Sequence, residues 1–145
     1  MKKIHAFWSA NRFPYPITPE SFHDFLEKIS IEWTDSAYVA TENNGQAIGF
    51  FCYSVNTEDN IGFLKFVIID KAKRGNGYGK EMLNLAVQYA FQITGATAVQ
   101  LNVFNENIAA KQCYEKAGFV ERSVDKNVFA YKDELWSRCN MIILK

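Results

Sequence analysis

The chain has 145 residues, enough for one domain with its own core and too few for two comfortable ones. Hydrophobic residues make up 48% of it, which separates it from disordered chains, and its 16 basic and 16 acidic side chains cancel, which removes any global field for nucleic acid or an anionic membrane. No run approaches the roughly 20 apolar residues of a membrane span, and Met1-Lys2-Lys3-Ile4-His5 lacks the apolar stretch of a secretory signal, so a reduced, cytoplasmic setting is expected.

In chain order, Ile4 to Trp8 predicts a short strand, and Pro14 and Pro16 then break regularity. Thr18-Pro19-Glu20 reads as a helix start, with an N-cap, proline at the first helical position and an early acid; Phe22, Phe25, Leu26 and Ile29 follow at helical spacing. Ala37 to Glu42 and Ala47 to Val55 read as strands around the turn signal Asn43-Asn44-Gly45. A polar loop, Asn56 to Asn60, leads into a strand ending in the apolar run Phe66-Val67-Ile68-Ile69.

A helical pattern beginning near Glu81 carries Met82, Leu83, Ala86, Tyr89, Ala90 and Ile93 on one stripe, with Gly95 as its stop. Ala98 to Val103 is the next strand, and a shorter helix spans Asn107 to Ala117, closed by Gly118. Phe119 to Tyr131 and Asn140 to Leu144 predict a final antiparallel pair. No repeat, low-complexity tract or linker interrupts the pattern, so residues 1–145 read as a single α/β domain. Its sheet would be mixed and mostly antiparallel, about six or seven strands flanked by helices.

The segment Arg74-Gly75-Asn76-Gly77-Tyr78-Gly79-Lys80 carries the most chemical information. A strand runs into a glycine-rich turn that opens a helix, where unpaired N–H groups and the positive end of the helix dipole suit a phosphate or pyrophosphate. The P-loop spelling fails, because Gly79-Lys80 is followed by Glu81 and the first glycine would fall on Arg74. The dinucleotide fingerprint fails too, because Gly75 and Gly77 are followed by lysine at position 80. Lys65, Lys71, Lys73, Arg74 and Lys80 face only Asp70 over residues 65–80, which reads as a cationic rim for phosphates; a solvated loop would also be rich in lysine.

Further on lies Leu101-Asn102-Val103-Phe104-Asn105-Glu106-Asn107, followed by a helical stretch that ends in Gly118-Phe119. Asn107 and Tyr114 stand close to two helical turns apart and share a face, with the small Ala110 between them. An elongated ligand could lie along that strip, and a tyrosine packed on a sheet is the plainer alternative.

Together the two blocks resemble the GNAT superfamily of acyl-CoA-dependent N-acetyltransferases. Arg74, Gly77 and Gly79 match its Arg-x-x-Gly-x-Gly signature, and Val103, Asn107, Ala110, Tyr114, Gly118 and Phe119 match its second block. The resemblance covers residues 61–120 and implies transfer of an acetyl group from acetyl-CoA to a primary amine by direct attack. It implies that Arg74, Gly75, Asn76, Gly77, Tyr78, Gly79 and Lys80 hold the pyrophosphate, that the Val67-Ile68-Ile69 backbone pairs with the pantetheine arm and polarises the acetyl carbonyl, that Asn107 bonds either that arm or the backbone at the helix end, and that Ala110 borders the arm. Tyr114 would protonate the departing sulfur, since a phenol with pKa ≈ 10 keeps its proton at neutral pH. A splayed central pair of strands is also implied.

The general base is not found by the same route. Family positions for a glutamate are occupied here by Asn102 in one case and by Phe63, Leu64 and Lys65 in the other, which leaves water, Glu58, Asp59 or Glu32. An acyl-CoA-binding module without catalysis remains the alternative on the same fold. The acceptor, a polyamine, another small-molecule amine, a drug or a protein N-terminus or lysine, would enter beside the N-terminal helices and the final hairpin, where Phe7, Trp8, Phe13, Tyr15, Trp33, Tyr131 and Trp136 supply either a pocket suited to a cation or a hydrophobic amine, or core.

No metal is expected, because Cys52, Cys113 and Cys139 are far apart without ligand spacing and His5 and His23 do not pair. Neither a nucleic-acid nor a membrane partner is expected, and the assembly is left as monomer or homodimer.

Overall fold

The computed structural model describes residues 19–32 and 35–145, with the side chains of Phe22 and residues 29–32 outside that description. The strand expected at Ile4 to Trp8, the cap at Thr18, and Phe7, Trp8, Phe13, Tyr15 and Trp33 therefore lie outside the described residues. Helix α1 spans Pro19–Glu32, with Glu20 in its first turn and Phe25 buried beneath it. The hairpin follows as expected, β1 at Ser36–Thr41 and β2 at Ala47–Asn56, closed by bonds from Glu42 N to Gln46 O and from Gly45 N to Glu42 O. Strand β3 runs Ile61–Ile69, and a 3₁₀ turn at Lys71–Lys73 leads to helix α2, Tyr78–Gln92. Then come β4 (Ala98–Phe104), helix α3 (Ile108–Lys116), β5 (Val120–Tyr131) and β6 (Glu134–Leu144).

Three expectations change. Helix α2 begins at Tyr78 and not near Glu81, because Gly77 at φ 80° delivers the chain straight into helical geometry. Ile93 leaves the apolar stripe: it is the C-cap and 71% exposed, while Val87 takes a buried place. The last strand begins at Glu134 and not at Asn140, because Lys132 at φ 52° makes a tight turn that carries no glycine signal.

The six described strands lie in the order β1-β2-β3-β4-β6-β5, all neighbours antiparallel except β3 and β4. One face carries Leu64, Leu101, Val103, Cys139 and Met141 into a core shared with Met82, Leu83, Ala86 and Val87 of α2 and Tyr114 of α3. Burying a leucine such as Leu64 or Leu101 contributes about 1.5–3 kcal/mol each. Alternation puts Phe63, Lys65, Asn102, Phe104, Trp136 and Arg138 on the opposite face.

Two irregularities make the site. The parallel ladder pairs Ile61 to Leu64 with Ala98 to Leu101 and stops there, although both strands continue, so β3 and β4 splay. The β2–β3 register also shifts between Phe50/Cys52, where Ile68 and then Lys65 are the partners, and Phe66 sits at φ 54°. This is a β-bulge with a non-glycine residue in left-handed conformation, the kind of local strain that surrounding packing must hold. The Phe66 ring meets Phe25 of α1 edge-on, with centroids 4.9 Å apart.

Candidate active site

The splay opens a cleft of about 1050 Å³ between the ends of β3 and β4, bounded by the glycine turn, α3 and the β5–β6 hairpin. Its wall includes Val67, Ile68, Ile69, Arg74, Gly75, Gly77, Tyr78, Gly79, Lys80, Asn107, Ala110 and Tyr114. Of the residues expected to hold a cofactor only Asn76 is not on the wall. Its side-chain amide donates instead to Lys73 O at 3.2 Å and Arg74 O at 3.3 Å and braces the turn.

The turn has the geometry that an anion cradle needs. Gly75 and Gly77 sit at φ 82° and 80°, and a Cβ on either would meet nothing within 4 Å, so glycine is needed for backbone conformation and the space is open. Among the described residues the N–H groups of residues 75–80 donate no hydrogen bond, and the first one used is Glu81 N to Gly77 O. Free donors in succession at a helix N-terminus are what a phosphate needs. Gly79 has a different reason to be glycine: a Cβ there would lie 3.0 Å from the Cys113 Sγ of α3, which lets the two helices approach.

The rim is less cationic than the sequence count suggests. Lys65 pairs at 3.3 Å with Asp35, whose side chain is completely buried, and Lys73 pairs at 3.1 Å with Glu42. Both acids come from the β1 region and were invisible to a local count. Glu42 also accepts from the Tyr78 hydroxyl at 2.7 Å, which ties the hairpin to the first residue of α2. That bond, with Lys73 behind it, holds the Glu42 carboxyl below its ordinary range, and the same bond raises the Tyr78 phenol. Arg74 turns its Nε onto Ile69 O at 3.0 Å, so one guanidinium edge fixes the end of β3.

On the facing side, Asn107 is the N-cap of α3, its Oδ1 accepting from Ala110 N at 3.4 Å. Tyr114 is 7% exposed and borders the cleft; burial pushes its phenol well above the usual range, with the neighbouring Cys113 adding to the shift. Its hydroxyl makes no hydrogen bond among the described residues. The β3 backbone from Lys65 to Ile69 has no strand partner on its β4 side, an open edge that runs along the cleft.

Residues 4–119 match the Acetyltransferase (GNAT) family. The chain belongs to this family. Among curated relatives of this GNAT chain is an uncharacterized N-acetyltransferase of Methanocaldococcus jannaschii, 31% identical over 97 residues, which are 63% of the chain and 42% of the relative. The mycothiol acetyltransferase of Streptomyces griseus is 26% identical over 125 residues, 83% of the chain and 40% of the relative. The spermine/spermidine N(1)-acetyltransferase of Bacillus subtilis is 31% identical over 81 residues, 52% of the chain and 53% of the relative. The chain thus spans about half or less of the length of these relatives. The solved structure of spermidine N-acetyltransferase from Vibrio cholerae in complex with CoA and spermine aligns with a TM-score of 0.80 over 99% of the chain and 92% of the other, at 21% identity, a likeness of fold.

Of the bases considered for a GNAT reaction, Glu58 and Asp59 are not on the wall. They sit in the β2–β3 turn, at the end of β3 away from the glycines, where Asp59 caps Ile61 N at 3.0 Å. Glu32 has its side chain outside the described residues. Asn102 does border the cleft and is held by Asn140 at 2.9 Å. Tyr131 and Trp136 meet in a tilted pair with centroids 4.8 Å apart, and Trp136 is fully buried, so it belongs to packing. The aromatic walls that the sequence did not single out are Phe63, Phe66, Phe104 and Phe129. Strand alternation from Phe63 to Lys65 and from Asn102 to Phe104 was the available signal for Phe63 and Phe104.

Proposed function

We propose that the chain is an N-acetyltransferase that moves the acetyl group of acetyl-CoA to a primary amine by direct attack within a ternary complex. The observation that carries this is a single cleft holding both the row of free N–H groups at 75–80 and the open β3 edge at 65–69. The nest suits a pyrophosphate, and the edge suits an amide-bearing arm that pairs as an added strand. When bound, acetyl-CoA supplies the thioester carbonyl that is attacked and the sulfur that leaves.

The chain's own residues then have separate tasks. Gly75 to Lys80 hold the phosphates, with Arg74 and Lys80 as counter-charges. An N–H of the Val67–Ile69 edge polarises the acyl oxygen, an interaction that grows stronger as negative charge develops there. Asn107 and Ala110 border the arm. The Tyr114 hydroxyl, kept protonated by burial, gives its proton to the leaving sulfur. No acidic side chain of the described residues lines the cleft, so the acceptor ammonium loses its proton to water.

A relative named for acetylating spermine and spermidine favours an amine acceptor. A cytoplasmic monomer or homodimer is part of the same proposal. Among the described residues no helix is long and apolar enough to cross a membrane, and no group of side chains could hold a metal ion.

Calorimetric titration with acetyl-CoA tests the reading without knowledge of the acceptor. Failure of folded protein to bind at millimolar cofactor would overturn it. The carboxylate-free wall also favours a second reading, an acyl-CoA-binding module without turnover. Release of free CoA thiol in the presence of any amine, well above the hydrolysis blank, eliminates that alternative.

A further inference from the structure

The cleft wall carries Lys65, Lys73, Arg74, Lys80, Lys116 and Arg138 and, among the described residues, no aspartate or glutamate. Residues 1–18 contain no acidic residue at all, while they contain Lys2, Lys3, His5 and Arg12. Apart from Glu32, every acidic side chain of the sequence is described, and none of those borders the cleft.

The cations fall into two sets. Lys73, Arg74 and Lys80 flank the phosphate nest, and Lys116 lies one helical turn beyond Cys113, the residue that touches Gly79. Lys73 is already paired with Glu42, and the charge of the others would be answered by the phosphates of the cofactor. Lys65 and Arg138 are elsewhere, on the sheet face opposite α2 and α3, together with Phe63, Phe104 and Phe129. Buried Asp35 neutralises Lys65. Arg138 is different. It directs one Nη2 at 2.9 Å to Asp125, in a pair whose side chains are 46% and 59% exposed and therefore screened by solvent. A guanidinium has five N–H donors in a planar fork, so most of its donors are free for a second anion.

An acceptor entering here meets phenyl rings and a guanidinium and, among the described residues, no carboxylate on the wall for an ammonium group. A polyamine would find no carboxylate on the described wall to pair with its several cations. We propose that the acceptor of this cleft is an amine whose own molecule carries an anionic group, a carboxylate or a phosphate, on an apolar or small body, and that Arg138 binds that anionic group. This inference rests on the acetyltransferase reading above and adds the substrate class.

The experiment uses two pairs of amines that differ only in the anion, with acetyl-CoA present: L-phenylalanine against phenethylamine, and phosphoethanolamine against ethanolamine. Spermidine is the polycationic comparator. Acceptor binding to the CoA-loaded protein is measured by calorimetry beside turnover. The expected result is at least a tenfold higher kcat/KM, or tighter binding, for the anionic member of one pair, with spermidine weaker than that member. Which pair responds separates carboxylate from phosphate. Arg138→Gln should bring the ratio within that pair towards one, mainly through KM, while its acetyl-CoA affinity provides the folding control. Preference for spermidine, equal use of both members in both pairs, or absence of binding by all five amines overturns the inference while acetyl-CoA binding preserves the family reading. Failure to bind acetyl-CoA overturns both.

Discussion

Leu64 lies beside Leu101 at the last rung shared by β3 and β4, and both side chains are almost fully buried. The pair closes the floor of the cleft. Beyond it the strands separate while still anchored on their outer sides, β3 to β2 and β4 to β6. The opening is therefore set by the antiparallel partners and does not need a ligand to wedge it.

Gly77 stands at the head of α2 at φ 80°, with open space where a side chain would project. Gly77→Asp should weaken acetyl-CoA binding by at least about tenfold, since it adds left-handed strain and a negative charge in the nest. Gly77→Ala separates the two effects: it keeps the strain and omits the charge, so it should lose less. Calorimetry on both variants, with circular dichroism as a check of folding, reads the difference. Equal affinity in Gly77→Asp and the parent would place the phosphates elsewhere.

Tyr114→Phe removes one hydroxyl from a site that forms no hydrogen bond through it, so stability and acetyl-CoA affinity should hardly change. Turnover should fall by about 10²–10⁴-fold, the usual worth of a positioned general acid, and the loss should lie in kcat. Steady-state kinetics with chemistry rate-limiting would show this. Near-normal kcat would reduce Tyr114 to a packing residue.

Asn107→Ala should act in two ways. It removes the α3 cap, whose bond at 3.4 Å is long, so a loss near the lower end of the range, about 0.5–1 kcal/mol, is expected. This is a fall in Tm of about 1–4 °C. Asn107→Asp keeps the cap and should recover the melting temperature. If Asn107 also borders the cofactor arm, the alanine variant raises the apparent KM for acetyl-CoA more than it lowers kcat.

Glu42 links the acid limb of stability to the site. Its carboxyl is held below its ordinary value of 4.5, first by the Tyr78 hydroxyl and then by Lys73. The folded state therefore binds fewer protons than the unfolded state between the lowered value and 4.5, and stability rises with pH across that window. The contribution is present above 4.5 and is lost as pH falls through the lowered value. Glu42→Gln should flatten this part of a melting-temperature profile, most visibly at low salt because the group is at the surface. An unchanged acid limb would show that Tyr78 and Lys73 do not stabilise the ionised carboxyl.

Legibility followed the range of each interaction. The glycine turn could be read because its requirement is local: Gly75 and Gly77 need left-handed backbone, and the spelling records that need. The α3 block could be read because Asn107, Ala110 and Tyr114 share one helix. The neutralising partners could not, since Asp35 meets Lys65 and Glu42 meets Lys73 only after β1 and β3 fold onto opposite sides of β2. Phe66 gives no signal of its bulge, because nothing in an apolar run marks an extra residue. The first part of β6 was missed because Lys132-Asp133 turns without glycine, and with it went the register that brings Arg138 beside Phe104.

Cys113, whose sulfur fixes how closely α3 can approach Gly79, also gives the cleft a natural reporter. The other two thiols, Cys52 and Cys139, are fully buried, whereas Cys113 is half-buried in the cleft wall. Burial raises its pKa, so reaction with a maleimide should be slow near neutrality and faster as pH rises. The native protein should take up one label per chain, and acetyl-CoA should shield that position in proportion to its occupancy. Mass spectrometry of the labelled peptide then turns a single sulfur into a direct gauge of whether the cleft is filled, with no acceptor, product or optical signal required.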